Sequence, residues 1–321
     1  MISLGLESTA HTFGIGIVSS KKNILSDVRD IHTTEKGGII PVEAAEHHKR
    51  VYKDILKKAL EEAKFPKIDL ISFSRSPGLA PCLHEGKKVA LELAKEMNVP
   101  IIGVNHIISH LSSAHFHTKA KNPIYLFVSG ANTQILVLEG NRFHQVGESL
   151  DIAIGNALDK FAREIGMGFP GGPKIEELAK KGEYIEIPYL VKGMDLSFSG
   201  IVTYLSNLYK KGYKKEDLCF SFQETCFAML TEVTERALAN CGKKEVVLIG
   251  GVAANKRLRE MLTIMCSERK AKFYSVPLQY SGDHGAMIAY QGILQYQSSK
   301  KIQLDVNPYE RAEEVEVSWK Y

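Results

Sequence analysis

The stretch Ile124-Tyr-Leu-Phe-Val-Ser129-Gly-Ala-Asn-Thr133-Gln-Ile-Leu-Val-Leu-Glu139 holds two apolar runs around a turn of small and hydroxyl-bearing residues. Ile124 to Ser129 and Gln134 to Glu139 read as two strands joined in a hairpin. Arg142 to Glu148 adds a third strand. The chain opens on the same plan: Ile2 to Glu7, Phe13 to Ser19 and Ile24 to Ile31 read as strands, with Ser8-Thr-Ala-His-Thr12 at the first turn. After the first triplet come helix Val42 to Lys64, strand Ile68 to Ser74, helix Leu83 to Met97, strand Ile101 to Asn105 and a helix carrying His106 to His117. After the second come helices, strand Val246 to Ile249, helix Ala254 to Arg269, strand Lys272 to Val276 and helix Gly285 to Tyr296. One β-β-β-α-β-α plan used twice predicts an α/β chain of two duplicated lobes, 1–122 and 123–299, with its ligand in the cleft between them. The charged tail, 300–321, is expected to pack on the first lobe.

Actin-like sugar kinases and chaperone ATPases share that plan. A length of 321 residues suits two domains, and 44% hydrophobic with 24% charged residues excludes disordered, collagen-like and coiled-coil classes. Lys and Arg number 41 against 37 Asp and Glu, a mild excess that helps an anionic partner approach without identifying one. Five cysteines without a C-x-x-C indicate neither a disulfide framework nor a cysteine zinc site. The start reaches Glu7 without a basic or sustained apolar segment, and no run of about 18 apolar residues occurs, so a cytoplasmic protein without membrane association is expected.

The P-loop pattern is absent. Gly166-Met-Gly168-Phe-Pro-Gly171 fits G-x-G-x-x-G but follows a helix and carries Pro170 where a helix should start, so it reads as a loop. The turns Ser8-Thr9-Ala10 and Ser129 to Thr133 are candidate phosphate cradles, since small residues let backbone N–H groups approach and hydroxyls add donors. Gly250-Gly251-Val-Ala-Ala-Asn255 follows an apolar strand and opens a helix, which either seats a nucleotide or only permits tight packing. His106 and His110, four apart on a helix, share one face and could grip one divalent metal, or could be an ordinary core or surface pair. Asp283, in Ser281-Gly-Asp-His-Gly285, is the third candidate ligand, expected from the second lobe. His115 and His117 read as peripheral, and His47-His48 as either site residues or solvated helix. Asp151, Asp159, Arg163 and Asp195 default to capping or surface pairing.

With Thr9-Ala-His-Thr12, Thr34-Glu-Lys-Gly-Gly38, Glu43-Ala-Ala-Glu-His-His48, Val104-Asn-His106-Ile-Ile-Ser-His110, Phe169-Pro-Gly-Gly-Pro173, Val191 to Gly200 and Gly250 to Asn255 together, the chain resembles the tRNA threonylcarbamoyladenosine transferase family over nearly its whole length. The likeness is to its archaeal and eukaryotic branch, the catalytic subunit of the KEOPS complex. It implies an actin-like fold and a metal-dependent acyl transfer. The threonylcarbamoyl group would pass from threonylcarbamoyl-AMP to the exocyclic amine of the adenosine 3′ to the anticodon in ANN-decoding tRNAs, releasing AMP. It implies one divalent ion, iron before zinc, on His106, His110 and Asp283. The substrate would meet Phe127, Val128, Ser129, Gly130, Ala131 and Thr133 around its phosphate, and Asp159, Gly172, Glu176 and Asn255 around its nucleoside. No covalent nucleophile is implied. The implied partners are tRNA, an ATP-like nucleotide, a small dimerising subunit on the first lobe and a kinase-like ATPase subunit on the second.

Several residues depart from the family's usual ones. Phe127 stands for a metal-ligating tyrosine, Ala131 and Ser8 for glycines, and Arg75-Ser76 for glutamine-glycine; His84-Glu85, Ile40 and His284 differ too. They motivate an alternative, a nucleotide-binding scaffold with weakened catalysis. A metallopeptidase finds no H-E-x-x-H here.

Overall fold

The computed structural model describes residues 1–33, 39–298 and 302–319, and the Thr34 to Gly38 motif lies outside the described residues. The chain divides into two compact units, Met1–His117 with Asp283–Tyr321, and Thr118–Gly282.

The first unit begins with β1 (Ile2–Glu7), β2 (Thr12–Ser19), β3 (Asn23–Ile31), α1 (Pro41–Glu62), β4 (Leu70–Ser76), α2 (Ala80–Met97), β5 (Ile101–Asn105) and α3 (His106–His117). Its sheet runs β3-β2-β1-β4-β5, antiparallel through the opening meander and parallel from β1 to β5. The unbroken burial of β1 and β2 marks a sheet covered on both faces. On one face Leu4, Leu6, Phe13 and Ile15 pack with Ile55 and Ala59 of α1 and with Val89 and Leu93 of α2. Each such side chain contributes about 2 kcal/mol by leaving water. Pro41 starts α1 with its φ preset, and Asn98 ends α2 in a left-handed conformation.

The second unit contains β6 (Ile124–Val128), β7 (Thr133–Glu139), β8 (Arg142–Glu148), α4 (Ile154–Glu164), α5 (Gly171–Ala179), β9 (Val191–Lys192), β10 (Asp195–Leu196), α6 (Ser199–Lys210), α7 (Lys215–Asn240), β11 (Glu245–Ile249), α8 (Lys256–Glu268) and β12 (Lys272–Ser275). Its sheet order, β12-β11-β6-β7-β8, repeats the first unit's with β6, β7 and β8 in the places of β1, β2 and β3. The long α7 lies within this unit's core, with Phe222, Cys226, Leu230 and Val233 fully buried. Residues 251–254 form a 3-10 turn, so α8 starts at Lys256, two residues later than the sequence pattern suggests.

The last helix, α9 (Gly285–Ser298), corrects the expected division. It belongs to the first unit with Asp283, whereas sequence order suggested the second lobe. It covers the sheet face opposite α1 and α2, packing Ala286, Ala289 and Ile293 on Val18 and setting Met287 and Ile288 against Leu70, Ile102 and Val104. The tail then joins the same unit: Gly103 donates from its backbone to Gln303 O (3.1 Å), and Gly78 to Pro308 O (3.1 Å). Among the described residues no helix is long and apolar enough to cross a membrane. All five cysteines are free thiols.

Candidate metal centre and nucleotide loops

In the first unit β5 runs directly into α3, so His106 is the first helical residue and His110 lies one turn on, their rings 4.7 Å apart between centroids. Asp283 precedes α9. Its Oδ1 lies 3.2 Å from His110 Nε2 and 3.5 Å from His106 Nε2. One ligand atom from each of the three falls within 4.8 Å of the others. Strand β3 fixes the aspartate: Arg29 donates to the Asp283 carbonyl (3.1 Å), while Asp27 accepts from the Ala286 N–H (3.0 Å).

Glu7, at the end of β1, is a residue the motif reading missed. Its fully buried carboxylate accepts from Thr9 N (2.7 Å) and lies 2.9 Å from His106 Nδ1. This carboxylate leaves Nε2 as the nitrogen turned to Asp283, the arrangement that orients metal-ligating imidazoles. Burial alone would depress the His106 imidazolium, but Glu7 and Asp283 outweigh it and hold it up at about 9. Burial and neighbouring His106 lower His110 despite the Asp283 hydrogen bond. Burial would raise the Asp283 carboxyl, yet the two imidazoles hold it far below the usual carboxylate range. A small divalent cation fits these residues. Two imidazole nitrogens face one carboxylate oxygen, and a cation there would replace the proton this cluster otherwise gathers.

The Ser8-Thr9 turn is not an open phosphate cradle. Ser8 N donates to Ser74 Oγ (3.0 Å), Thr9 N to Glu7, and both residues are buried. His47 and His48 are buried, not solvated: His47 Nε2 pairs with Asp30 Oδ1 at 2.7 Å, and His48 packs on Phe13. Burial, with His47 nearby, pushes His48 down from 6.5 to about 4. The unfolded chain therefore takes up a proton that the folded one refuses as pH falls below 6.5, so His48 lowers stability progressively down to pH 4. The expected loss between pH 7 and pH 4.5 is about 2 kcal/mol, read by urea unfolding at those two pH values. His48→Gln should flatten that dependence. Parallel pH curves for the two proteins would contradict it.

In the second unit the β6–β7 hairpin closes through Ser129, whose Oγ accepts from Asn132 N (2.9 Å) and Ala131 N (3.3 Å). Gly130 and Ala131 are exposed, and open space surrounds Gly130. Ala131 is absent from the left-handed residues of the chain, so its Cβ brings no backbone strain. The buried Thr133 Oγ1 accepts from Ile154 N (2.8 Å), and Gly155 lies so close to Ser129 that a Cβ there would meet its carbonyl oxygen at 2.5 Å. The hairpin and the start of α4 thus form one block. Phe127 and Val128 contribute no side chain to its surface, because both are wholly buried in β6.

Asp159, on α4, accepts from Gly171 N (2.7 Å), and burial pushes its carboxyl above the usual range. Gly172 is nearly open, a Cβ there meeting only Leu158 Cδ1 at 3.8 Å. Glu176 Oε1 accepts from Lys256 N (2.9 Å), tying α5 to the start of α8. Asn255 is the N-cap of α8: its Oδ1 takes Arg257 N (2.9 Å) and Leu258 N (3.2 Å), and its Nδ2 donates to Gln223 (3.0 Å). Gly250 turns the chain at φ 100°, with its α-carbon against the Val128 backbone. Asp151 takes Phe198 N and Ser199 N at the start of α6, both at 2.9 Å, whereas Asp195 takes Glu148 N of β8 at 3.1 Å, which is neither a helix cap nor a surface ion pair.

Residues 22–290 match the model of the TsaD family, described as tRNA N6-adenosine threonylcarbamoyltransferase. A protein of that name from Thermococcus kodakarensis is 56% identical over 99% of this chain and all of its own length. Another from Archaeoglobus fulgidus is 49% identical over 99% of this chain and 100% of its own. A probable bifunctional tRNA threonylcarbamoyladenosine biosynthesis protein from Methanosphaera stadtmanae is 49% identical over 99% of this chain but only 61% of its own length. Among solved structures, T. kodakarensis HypF superposes with a TM-score of 0.64 at 16% identity, over 92% of this chain and 47% of that one. A Streptomyces griseus ROK glucokinase, in complex with glucose and AMPPNP, superposes with a TM-score of 0.53 at 12% identity, over 92% of this chain and 100% of that one. The fold is that of the actin-like ATPases and sugar kinases.

Proposed function

The chain belongs to the tRNA N6-adenosine threonylcarbamoyltransferase family, a family of transferases, and on that premise we propose that it passes the threonylcarbamoyl group of threonylcarbamoyl-AMP to the N6 amine of the adenosine 3′ to the anticodon in ANN-decoding tRNAs. The convergence of His106, His110 and Asp283 carries this reading. In the step, the amine nitrogen bonds to the carbamoyl carbon, the bond from that carbon to the phosphate oxygen breaks, AMP departs with the electron pair, and the amine releases a proton.

A divalent cation on His106, His110 and Asp283 would supply Lewis-acid charge. Two histidines and one carboxylate with open positions favour iron over zinc. Glu7 orients His106, and Arg29 and Asp27 fix the aspartate's segment. In the second unit, the exposed Gly130 and the adjoining Ser129 and Thr133 would admit the phosphate, with Asp159, Gly172 and Glu176 meeting the nucleoside. Asn255 would serve by holding the start of α8, since its amide is engaged there. No cysteine is enlisted as a nucleophile: burial raises the Cys82, Cys219, Cys226 and Cys266 thiols, which disfavours their thiolates. Ala131's ordinary backbone removes one motive for the scaffold reading.

Partners complete the reading. The mild charge excess is small for an extended tRNA footprint, which needs many phosphate contacts. We assign the chain to a KEOPS-like complex in the cytoplasm. The exposed Val42 of α1 and Leu91 of α2 suit the small dimerising subunit. The kinase-like subunit is assigned to the second unit. Full-length protein with these partners, threonylcarbamoyl-AMP and unmodified tRNA should yield the modified nucleoside by mass spectrometry. Its absence with a fully metal-loaded protein would refute the transfer.

A further inference from the structure

Arg75 and Glu310 form an ion pair 6% and 13% exposed, between the end of β4 and the C-terminal tail. The same guanidinium donates to Gln303 Oε1 (2.7 Å) and to the Asp305 carbonyl (3.2 Å), so one arginine gathers three points of the tail. A buried ion pair is weak evidence for stability, because desolvation offsets much of the attraction. The other side of Glu310 points to a different use. Its Oε2 accepts from Ser76 Oγ (2.6 Å) and faces Asn105 Nδ2 at 3.4 Å, and its backbone carbonyl faces the same Nδ2 at 3.3 Å.

Asn105 is the residue before His106. Its Oδ1 accepts from Ile108 N (3.2 Å), capping α3, and its carbonyl accepts from Ser109 Oγ (2.8 Å). The amide has one acceptable orientation. Turned over, it would set Oδ1 against a carboxylate and a carbonyl, and its NH2 against the N–H of Ile108. Glu310 thereby selects which end of Asn105 meets the helix.

We propose that the Arg75–Glu310 pair is a positioning device for the metal-binding helix: the tail delivers Glu310, Glu310 orients Asn105, and Asn105 fixes the first turn of α3 from which His106 and His110 project. Arg75, Ser76, Asn105 and Glu310 are positioning residues, and the assignment rests on the metal reading above.

The test titrates the full-length protein with cobalt(II) alone, following visible absorption of the bound ion. Glu310→Gln should weaken cobalt binding by about tenfold, the scale of losing support behind a metal ligand, and shift its spectrum. Asn105→Ala should weaken it comparably, and the double variant by no more than either, since the two act in series. If Glu310→Gln alone fails to fold, Arg75→Gln with Glu310→Gln removes the unpaired charge and carries the same expectation. A variant that melts earlier but keeps wild-type cobalt affinity and spectrum overturns the proposal, as do additive losses. A wild-type protein that binds no cobalt overturns the metal reading and this proposal with it, whereas binding lost on His106→Ala with Glu310→Gln unaffected overturns the proposal alone.

Discussion

Asp283→Asn is expected to strip the protein of its divalent ion and to lower threonylcarbamoyl transfer by roughly a thousandfold, equivalent to about 4 kcal/mol of transition-state stabilisation. The substitution preserves shape and removes only the charge that His106 and His110 face across 3.5 and 3.2 Å. An amide oxygen is a poorer ligand than a carboxylate, and the remaining pair of histidines provides two positions where a stable site needs at least three. The segment itself should stay in place. Arg29 binds the main-chain carbonyl of residue 283 and Asp27 binds Ala286 N, neither of which the substitution alters. Elemental analysis of the purified variant and mass spectrometry of modified tRNA check the two effects together. Stoichiometric metal with activity within twofold of wild type would exclude Asp283 as a ligand.

The histidines of that site were legible because a spacing of four on a helix is a local fact, and α3 spans the very residues the pattern assigned. Asp283 was legible as a motif but not as a neighbour. It follows the second sheet in the chain, and only the return of α9 to the first unit brings it to α3. Glu7 escaped notice because an acid at a strand end reads as the place where the strand meets water, whereas here the acid is fully buried and bound to Thr9 and His106. Its signal was available: a carboxylate closing an otherwise apolar strand has to find a donor. Ser8-Thr9 misled in the opposite sense. Small and hydroxyl residues suggest a phosphate loop, but Ser74 and Glu7, distant or unweighed in sequence, already satisfy the turn's N–H groups. The central strands β1, β4, β5, β6 and β11 and their duplicated order could be read directly, since burial on both faces leaves nearly unbroken apolar runs, whereas the two-residue strands β9 and β10 carry no such run.

The same return of α9 makes Gly16→Ala the most damaging small change expected in the first unit, at about 3 kcal/mol, a fall of roughly 10 °C in melting temperature. Gly5 and Gly16 are cross-strand partners on β1 and β2, and both present bare α-carbons to the first turns of α9. A Cβ on Gly16 would meet Ala286 Cα and the Gly285 carbonyl carbon at 2.5 Å; one on Gly5 would meet Gly285 O at 2.5 Å and Ala289 Cα at 2.7 Å. These contacts are backbone against backbone, so no rotamer change relieves them. The helix would have to lift, and Asp283 sits two residues before it. Loss of metal affinity should therefore accompany the loss of stability, although Gly16 touches none of the ligands. Alternating glycines in Leu4-Gly5-Leu6 and Phe13-Gly14-Ile15-Gly16-Ile17 were the clue that another chain segment crosses this sheet face closely. Gly130→Ala provides the contrast: nothing lies within 4 Å of the added atom, and its thermal midpoint should stay within about 1 °C of wild type. Calorimetry and cobalt titration of both variants decide the matter. A Gly16→Ala protein that melts with wild type would mean that α9 does not rest on the β1–β2 glycines.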